Sequence, residues 1–429
     1  MTGFPFKSTG YSNAASSVRL LRGDNVGQGV LRWEDAKRWP QSAHDELLAY
    51  SLCEDDVVLA MDRPWIAAGL KFAHVRKVDL PCLLVQRVAR LRAKAGLDSR
   101  FLRYVIGGRH FTEYILSVQT GTAVPHISAG QIAAFEFLLP PMCEQQLVGE
   151  LLGVLDDRID LLRQTNATLE SIAQALFKSW FIDFDPVRAK AEGREPDGMD
   201  AATAALFPAE FEESALGLIP KGWTVSEVGR VADCVGGGTP STKEPDYWEP
   251  AVHCWATPKD LSGLGAPVLL DTERRLSDAG LTKVSSGLLP VGTLLLSSRA
   301  PIGYLAIAQM PLAVNQGFIA IRPGGFLPPV YLYFWCRAHM DTIKQKANGS
   351  TFMEISKAAF RPIPLVLPPK EVVASFVAVA EPLFGRISAG ELHRSQLAAV
   401  RDTLLPRLIS GKLRLPEARA ELDASTQAP

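Results

Sequence analysis

The chain repeats itself at a spacing of about 228 residues, and a repeat of that length constrains the architecture before any local motif is weighed. Gly121-Thr122-Ala123-Val124-Pro125-His126-Ile127-Ser128 returns as Gly349-Ser350-Thr351-Phe352-Met353-Glu354-Ile355-Ser356. Leu139-Pro140-Pro141 returns unchanged as Leu367-Pro368-Pro369. The offset persists downstream, where Arg158-Ile159 meets Arg386-Ile387, and Leu169 and Leu176 meet Leu397 and Leu404. Two copies are too few for a solenoid. They imply two related units whose surfaces differ.

After Leu139-Pro140-Pro141 the hydrophobic period becomes seven. Val148, Leu155, Leu162, Leu169 and Leu176 recur at that step, and Leu152, Ile159, Asn166, Ala173 and Trp180 follow each four residues later. This is an a/d seam, with Asn166 as the polar exception that sets register. A helix of about 40 residues is roughly 60 Å long, well beyond an average core helix. The second copy keeps Phe376, Leu383, Ile387, Leu397, Leu404 and Leu408, but Gly390, Arg394 and Arg401 interrupt the stripe. Pro382 and Pro406 are expected to kink or break that helix. The two stripes are expected to bury against each other as an antiparallel pair.

The expected fold is therefore α+β, with two mixed α/β domains separated by two long antiparallel coiled-coil helices in a pseudo-twofold internal repeat. The expected boundaries are a first domain over 1–140, short at its N-terminus, and a spacer helix over 141–185. A connector over 186–217, rich in Pro, Gly, Ala and acids, follows. A second domain covers 218–367, a second spacer helix 368–415, and a frayed tail 416–429. The Asp183-Phe184-Asp185-Pro186 pair of carboxylates reads as a helix stop. In the strands, Val291–Leu296 matches the strand ending at Ala60, Arg299 matches Arg63, and Gln316 and Arg322 match Gln86 and Arg92.

At 429 residues the chain is long enough for two to four domains. No apolar run approaches the roughly 18 residues that span a membrane, and the N-terminus has no signal-peptide core. Six scattered cysteines without a CxxC pair argue against a metal knuckle and for a reducing cytoplasm. The formal net charge of −1 hides a segregation. Between Arg63 and Arg109 stand eleven Lys/Arg against Asp79 and Asp98, whereas Pro141 to Ala215 holds six Lys/Arg against fifteen acids. A basic block beside an acidic one suits a polyanion on one surface and a protein on another; two solvated faces are the bland alternative.

Familiar catalytic motifs are absent from the sequence. There is no GxGxxG, no GxxxxGK[ST] and no HExxH, and no Ser or Cys has a recognisable nucleophile setting. Each domain instead offers donors on turns. In the first these are Lys7, Ser8, Tyr11, Arg22, Asn25 and Arg63; in the second, Thr239, Ser241, Thr242, Lys243, Tyr247, Trp248, Lys259, Arg299, Gln316, Lys344, Lys346 and Asn348. Arg, Lys, Asn and Gln forks read base edges, while Ser, Thr and Lys grip phosphates. Any one of them could be an ordinary solvated turn residue. Two such faces on a rigid spacer fit a bipartite DNA site. The seam is assigned to Leu155, Ile159, Leu162, Asn166, Leu169 and Leu176, with Leu383, Ile387, Leu397 and Leu404 opposite.

The segment Leu176-Phe177-Lys178-Ser179-Trp180-Phe181-Ile182-Asp183-Phe184-Asp185-Pro186-Val187-Arg188-Ala189-Lys190 resembles the hinge region of specificity subunits of type I restriction-modification systems. Leu139-Pro140-Pro141 with Glu144-Gln145, Gly3-Phe4-Pro5-Phe6-Lys7-Ser8, Ile219-Pro220-Lys221-Gly222-Trp223 and Gly237-Gly238-Thr239-Pro240-Ser241-Thr242 extend the resemblance over nearly the whole chain. It implies two target recognition domains, each binding half of a split double-stranded DNA site. It also implies docking of two methylation subunits, which supply S-adenosylmethionine and adenine-N6 methylation. Restriction subunits then join through the complex, with ATP and Mg for translocation and cleavage. This chain itself would carry no catalysis and no cofactor. The alternatives are a truncated or orphan subunit acting only as a protein-binding coiled-coil scaffold, and a methyltransferase in its own right. The missing glycine motif speaks against the latter.

Overall fold

The computed structural model describes residues 1–14, 16–41, 45–121, 123–349 and 353–413. The tail expected over 416–429, the last residues of the expected second spacer helix, and Thr122, Ser350, Thr351 and Phe352 of the repeated segment lie outside them. The chain forms two compact units, one of Met1–Ile159 together with the chain from Gln396, the other of Asp160–Ser395.

In the first unit, strands β1 (Val18–Leu21), β2 (Gln28–Gly29), β3 (Val57–Ala60), β4 (Phe72–His74), β5 (Cys82–Leu84) and β6 (Val88–Leu91) precede helices α1 (Ser99–Gly107) and α2 (Arg109–Val118). One sheet runs β2-β4-β3-β6; β1 pairs parallel to β5 and antiparallel to Arg38–Trp39. The run Val57-Val58-Leu59-Ala60 is apolar throughout because both faces of β3 are covered. Val58 and Ala60 enter a core with Ala73, Cys82 and Leu84, while Val57 and Leu59 meet Leu102, Ile106, Phe111 and Ile115 of the two helices. Asp98 caps α1 by accepting from the Phe101 amide at 2.9 Å.

Helix α3 (Met142–Phe181) is 40 residues long. At its start the buried Gln145 accepts from the Asp98 amide at 2.8 Å and donates to the Pro140 carbonyl at 2.8 Å. Phe184 then adopts a left-handed φ of 56°, and Pro186 sits in the first turn of α4 (Asp185–Ala191), so Asp183–Pro186 stops the helix as its sequence suggests. The segment after it is folded. Val187 and Phe207 are buried in the second core, and Lys190 donates to the Ala204 carbonyl at 3.1 Å. Its acidic, Pro/Gly-rich composition reads as a connector because the few apolar anchors are widely spaced.

The second unit rebuilds the first around β7 (Thr224–Glu227), β8 (Asp233–Gly236), β9 (His253–Ala256), β10 (Val268–Leu269), β11 (Leu294–Ser297), β12 (Leu305–Ala308), β13 (Leu312–Val314), β14 (Phe318–Arg322), helix α5 (Pro329–Ala338) and β15 (Pro364–Leu367). Its main sheet runs β8-β14-β11-β12-β10. The register Ala60↔Val88 recurs as Ser297↔Phe318, and Leu21↔Leu84 recurs as Ala256↔Val314. Two differences stand out. Where β8 pairs with β14 over four residues, the described residues of the first unit have the single bridge of Thr2 to Ala89. Where β7 pairs with β15, Leu138 and Leu139 of the first copy are exposed.

The repeated register also corrects one sequence pairing. Asp62 bridges His126 as Arg299 bridges Glu354, and the next residues, Arg63 and Ala300, share a positive φ of 45° and 53°. Arg299 is therefore the counterpart of Asp62, and Arg63 that of Ala300. Matching arginine to arginine slips the loop by one residue, because side-chain identity and backbone register disagree there.

Helix α6 (Lys370–Ile409) is also 40 residues and runs antiparallel to α3. In the second unit Phe177 meets Phe376 at a centroid distance of 5.6 Å, and Asn166 lies against Gly390. Leu155, Ile159, Asn166, Leu169, Ile387, Leu397 and Leu404 are buried, and Leu162, Leu176 and Leu383 half-buried. A Cβ at Gly390 would fall 2.5 Å from Asn166 Oδ1, so this glycine makes room for the polar seam residue rather than merely interrupting the stripe. Pro382 and Pro406 do not break α6. Both prolines are exposed, as are Ala378 and Asp402 one turn back, so water can reach the carbonyls left without a donor. One 18-residue stretch of α6, although interrupted by charged side chains, has a mean hydropathy of 1.5 and could cross a membrane by length and composition alone. Its Val372, Val373, Phe376, Ala380, Phe384 and Ile387 lie in the second core, which accounts for that apolarity.

Each unit fastens its own stretch of α3 through a carboxylate. Asp156 accepts from Tyr104 Oη at 2.8 Å, Arg401 Nη1 at 2.8 Å and the Arg103 guanidinium. Glu170 accepts from Tyr333 Oη at 2.5 Å and from Arg337. His74 sits 3.2 Å from Arg103, and burial, followed by repulsion from Arg103 and Arg76, holds it down at about 4. An unfolded histidine titrates near 6.5, so between about pH 6.5 and 4 the unfolded chain binds the extra proton. The stabilisation is present above 6.5 and is lost as pH falls through that window, at up to roughly 1.4 kcal/mol per pH unit. Denaturant unfolding from pH 7.5 to 4.5 should therefore show a steeper acid loss for the native chain than for His74→Gln. Equal slopes would exclude the role.

Candidate nucleic-acid interface

The first unit presents an open cleft of about 640 Å³ whose rim is basic. Arg22, Arg32, Arg63, Lys71 and Arg87 line it against Asp24 and Asp62. Arg22 reaches Asp24 at 3.5 Å and Arg87 reaches Asp62 at 3.4 Å. Among the described residues, Arg32, Arg63 and Lys71 form no ion pair. Burial, opposed by Asp24 and reinforced by Arg63 and Arg32, holds the Lys71 ammonium below its ordinary range. Cations crowded in this way are relieved by an incoming anion, as a phosphate would provide.

The local folding explains the rim. β3 ends at Ala60, and the left-handed Arg63 turns the chain outward while its amide donates to the Pro125 carbonyl at 2.6 Å. The short helical turn after β1 carries Arg22 and Asp24. Asn25, expected at the surface, is buried there: it accepts from the Arg22 amide at 3.0 Å and donates to the Arg32 carbonyl at 3.0 Å. It shapes the turn and faces away from solvent. Tyr11, Arg22 and Arg63 share the cleft, whereas Lys7 and Ser8 are exposed beside it without lining it. Arg32, Lys71, Gln86 and Arg87 complete it and were missed. The Arg63–Arg109 charge count was the available signal, but it also included Arg92, held bidentate by Asp56 at 2.6 Å, and Arg103, held by Asp156.

In the second unit the expected residues form smaller groups. Thr239 Oγ1 bonds Gln316 Oε1, both residues being exposed. Trp248 donates to the Ser241 carbonyl at 3.0 Å, close to the exposed Thr242 and Lys243, and the Arg274 guanidinium lies 3.6 Å from its ring centroid. Tyr247 faces Lys283 at 5.6 Å. Arg274 and Lys283 were also missed. Lys259 is engaged by Glu273 at 2.6 Å. Arg299 reaches Glu354 at 3.7 Å, and Glu354 pairs by its backbone with Asn348. Lys344 and Lys346 are exposed on and just beyond the preceding helix. No cluster of three or more His, Cys, Asp or Glu suited to a metal occurs among the described residues.

Comparison with known proteins bears on this geometry. Residues 43–171 and 220–375 match the family model of the type I restriction modification DNA specificity domain. The chain is 28% identical over 357 residues to a type I restriction enzyme HindI specificity subunit of Haemophilus influenzae, covering 73% of this chain and 77% of that one. It is 38% identical over 164 residues to the MjaIX specificity subunit of Methanocaldococcus jannaschii, covering 38% of each. The crystal structure of a type I restriction-modification S subunit from M. genitalium shares the fold at a TM-score of 0.54 and 14% identity, over 95% of this chain and 92% of that one.

Proposed function

We infer the function from the premise that this chain belongs to the type I restriction modification DNA specificity family. The chain is a non-catalytic DNA sequence-recognition subunit, and it binds a split, asymmetric double-stranded site with one half at each unit. The observation that carries this reading is one scaffold built twice with differently charged rims, a basic cleft in the first and the Thr239, Trp248 and Gln316 groups in the second. A scaffold that binds proteins alone is not favoured, since a relative matched over 77% of its length carries the specificity-subunit name.

The finer reading assigns the outward face of α3 to two methylation subunits. There Leu147, Val154 and Leu161 recur every seven residues and stay exposed. Those partners hold S-adenosylmethionine and methylate adenine N6; restriction subunits join the complex and use ATP and Mg for cleavage. The assembly works in the cytoplasm. Purifying the chain with its methylation subunit and methylating random-sequence DNA tests the reading. A two-part adenine-methylated motif is the expected product, and modification without sequence preference would remove the proposal.

A further inference from the structure

We propose that Gln86 and Gln316 are equivalent base-reading residues, one in each unit, each making paired hydrogen bonds to an adenine. The proposal rests on the DNA-recognition reading above and names the residues that share a task in both halves. The two glutamines occupy one structural position. Each follows the strand that pairs parallel to β1 or β9, and Met61 N to Arg87 O, one residue on, repeats as Ser298 N to Gly317 O. Both turns are clamped by a close backbone approach. A Cβ at Gly3 would lie 2.3 Å from Val85 O, and one at Gly237 would lie 1.7 Å from Val314 O, so only glycine fits beneath either turn.

Identity at this position contrasts with its surroundings. In the same register Asp24 corresponds to Lys259, Asp62 to Arg299, Arg63 to Ala300 and Arg87 to Gly317. Two of these positions exchange acid for base and two exchange arginine for a small residue. Of these five polar positions, the glutamine is the one kept. Rim positions that differ suit two different half-sites, and a retained amide suits a base common to both.

Glutamine reads adenine with its carbonyl accepting from N6 and its NH2 donating to N7. Both residues are exposed, and Gln86 lines the basic cleft. Thr239 holds Gln316 by Oε1, leaving Nε2 free to donate and one lone pair to accept. The first unit has Pro5 at the place of Thr239, so Gln86 lacks that hydroxyl partner.

The test uses the full chain co-expressed with its methylation subunit, as wild type, Gln86→Ala, Gln316→Ala and Gln316→Glu. Methylation of a random-sequence duplex library is read by sequencing. Each alanine variant is expected to relax one base pair, in a different half of the motif, with discrimination there falling about ten- to hundredfold. Gln316→Glu should move that position toward cytosine, whose N4 donates to a carboxylate. Variants that keep the wild-type motif, or that lose methylation equally on all sequences while melting at the wild-type temperature, would overturn the assignment and leave the recognition reading standing. A wild-type complex without any sequence preference would remove that reading and the proposal together.

Discussion

Replacing Asp156 by alanine is expected to lower the stability of the first unit by about 3 to 5 kcal/mol, the cost of removing one member of a buried ionic cluster. The carboxylate is nearly inaccessible and gathers Tyr104, Arg103 and Arg401, so its loss leaves Arg103 without its counterion and Arg401 with exposed Asp402 alone. Those arginines come from α1 and α6, while Asp156 comes from α3, so the substitution loosens three helices at once. Denaturant unfolding followed by a probe in the first unit, such as Trp33 or Trp39, would read the effect. Asp156→Asn, which can still accept from Tyr104, should recover part of it. A loss below about 1 kcal/mol would show that water already screens the cluster.

The second large effect concerns the basic cleft. Arg63→Glu with Lys71→Glu removes two cations and adds two anions where no ion pair now compensates them. Losing two phosphate contacts alone lowers the slope of log affinity against log salt by roughly two. With the added repulsion, affinity for duplex DNA should fall on the order of a hundredfold at moderate salt. Lys94→Glu belongs to the same basic stretch of sequence but does not line the cleft, and serves as the control. Fluorescence anisotropy across a salt series measures both quantities. Because Lys94→Glu changes the net charge by half as much, a loss in log affinity half that of the cleft variant would mean that net charge, rather than this cleft, sets binding.

How far the architecture was legible differs from element to element. The seam could be read because a heptad repeats a simple physical demand, one buried contact every half-turn pair, over forty residues. Leu155, Ile159, Asn166, Leu169, Ile387, Leu397 and Leu404 are buried as that demand requires. Pro382, Pro406 and Gly390 were misjudged because propensity weighs a residue without knowing which face it occupies. The prolines face solvent and the glycine faces Asn166, and each is tolerated for that reason.

The candidate site was less legible. Arg22 and Asn25 stand three residues apart on one turn, yet one lines a cleft and the other is consumed in shaping it. Lys71, on the loop into β4, joins Arg63 only because β3 and β4 are neighbours in the sheet. No spacing rule marks that proximity.

The amino-acid sequence alone determined that this molecule has two related units, two long antiparallel helices and membership in a DNA-specificity family. Those properties are written as periodicity and repetition along the chain, which survive without knowledge of contacts. Tertiary structure decided which arginines are free and which are held by Asp56 or Asp156. It also aligned Arg299 with Asp62 rather than Arg63 and brought Gln86 and Gln316 to one equivalent position. Charge pairing and strand register depend on distances between residues far apart in the chain, and only the folded backbone sets those distances.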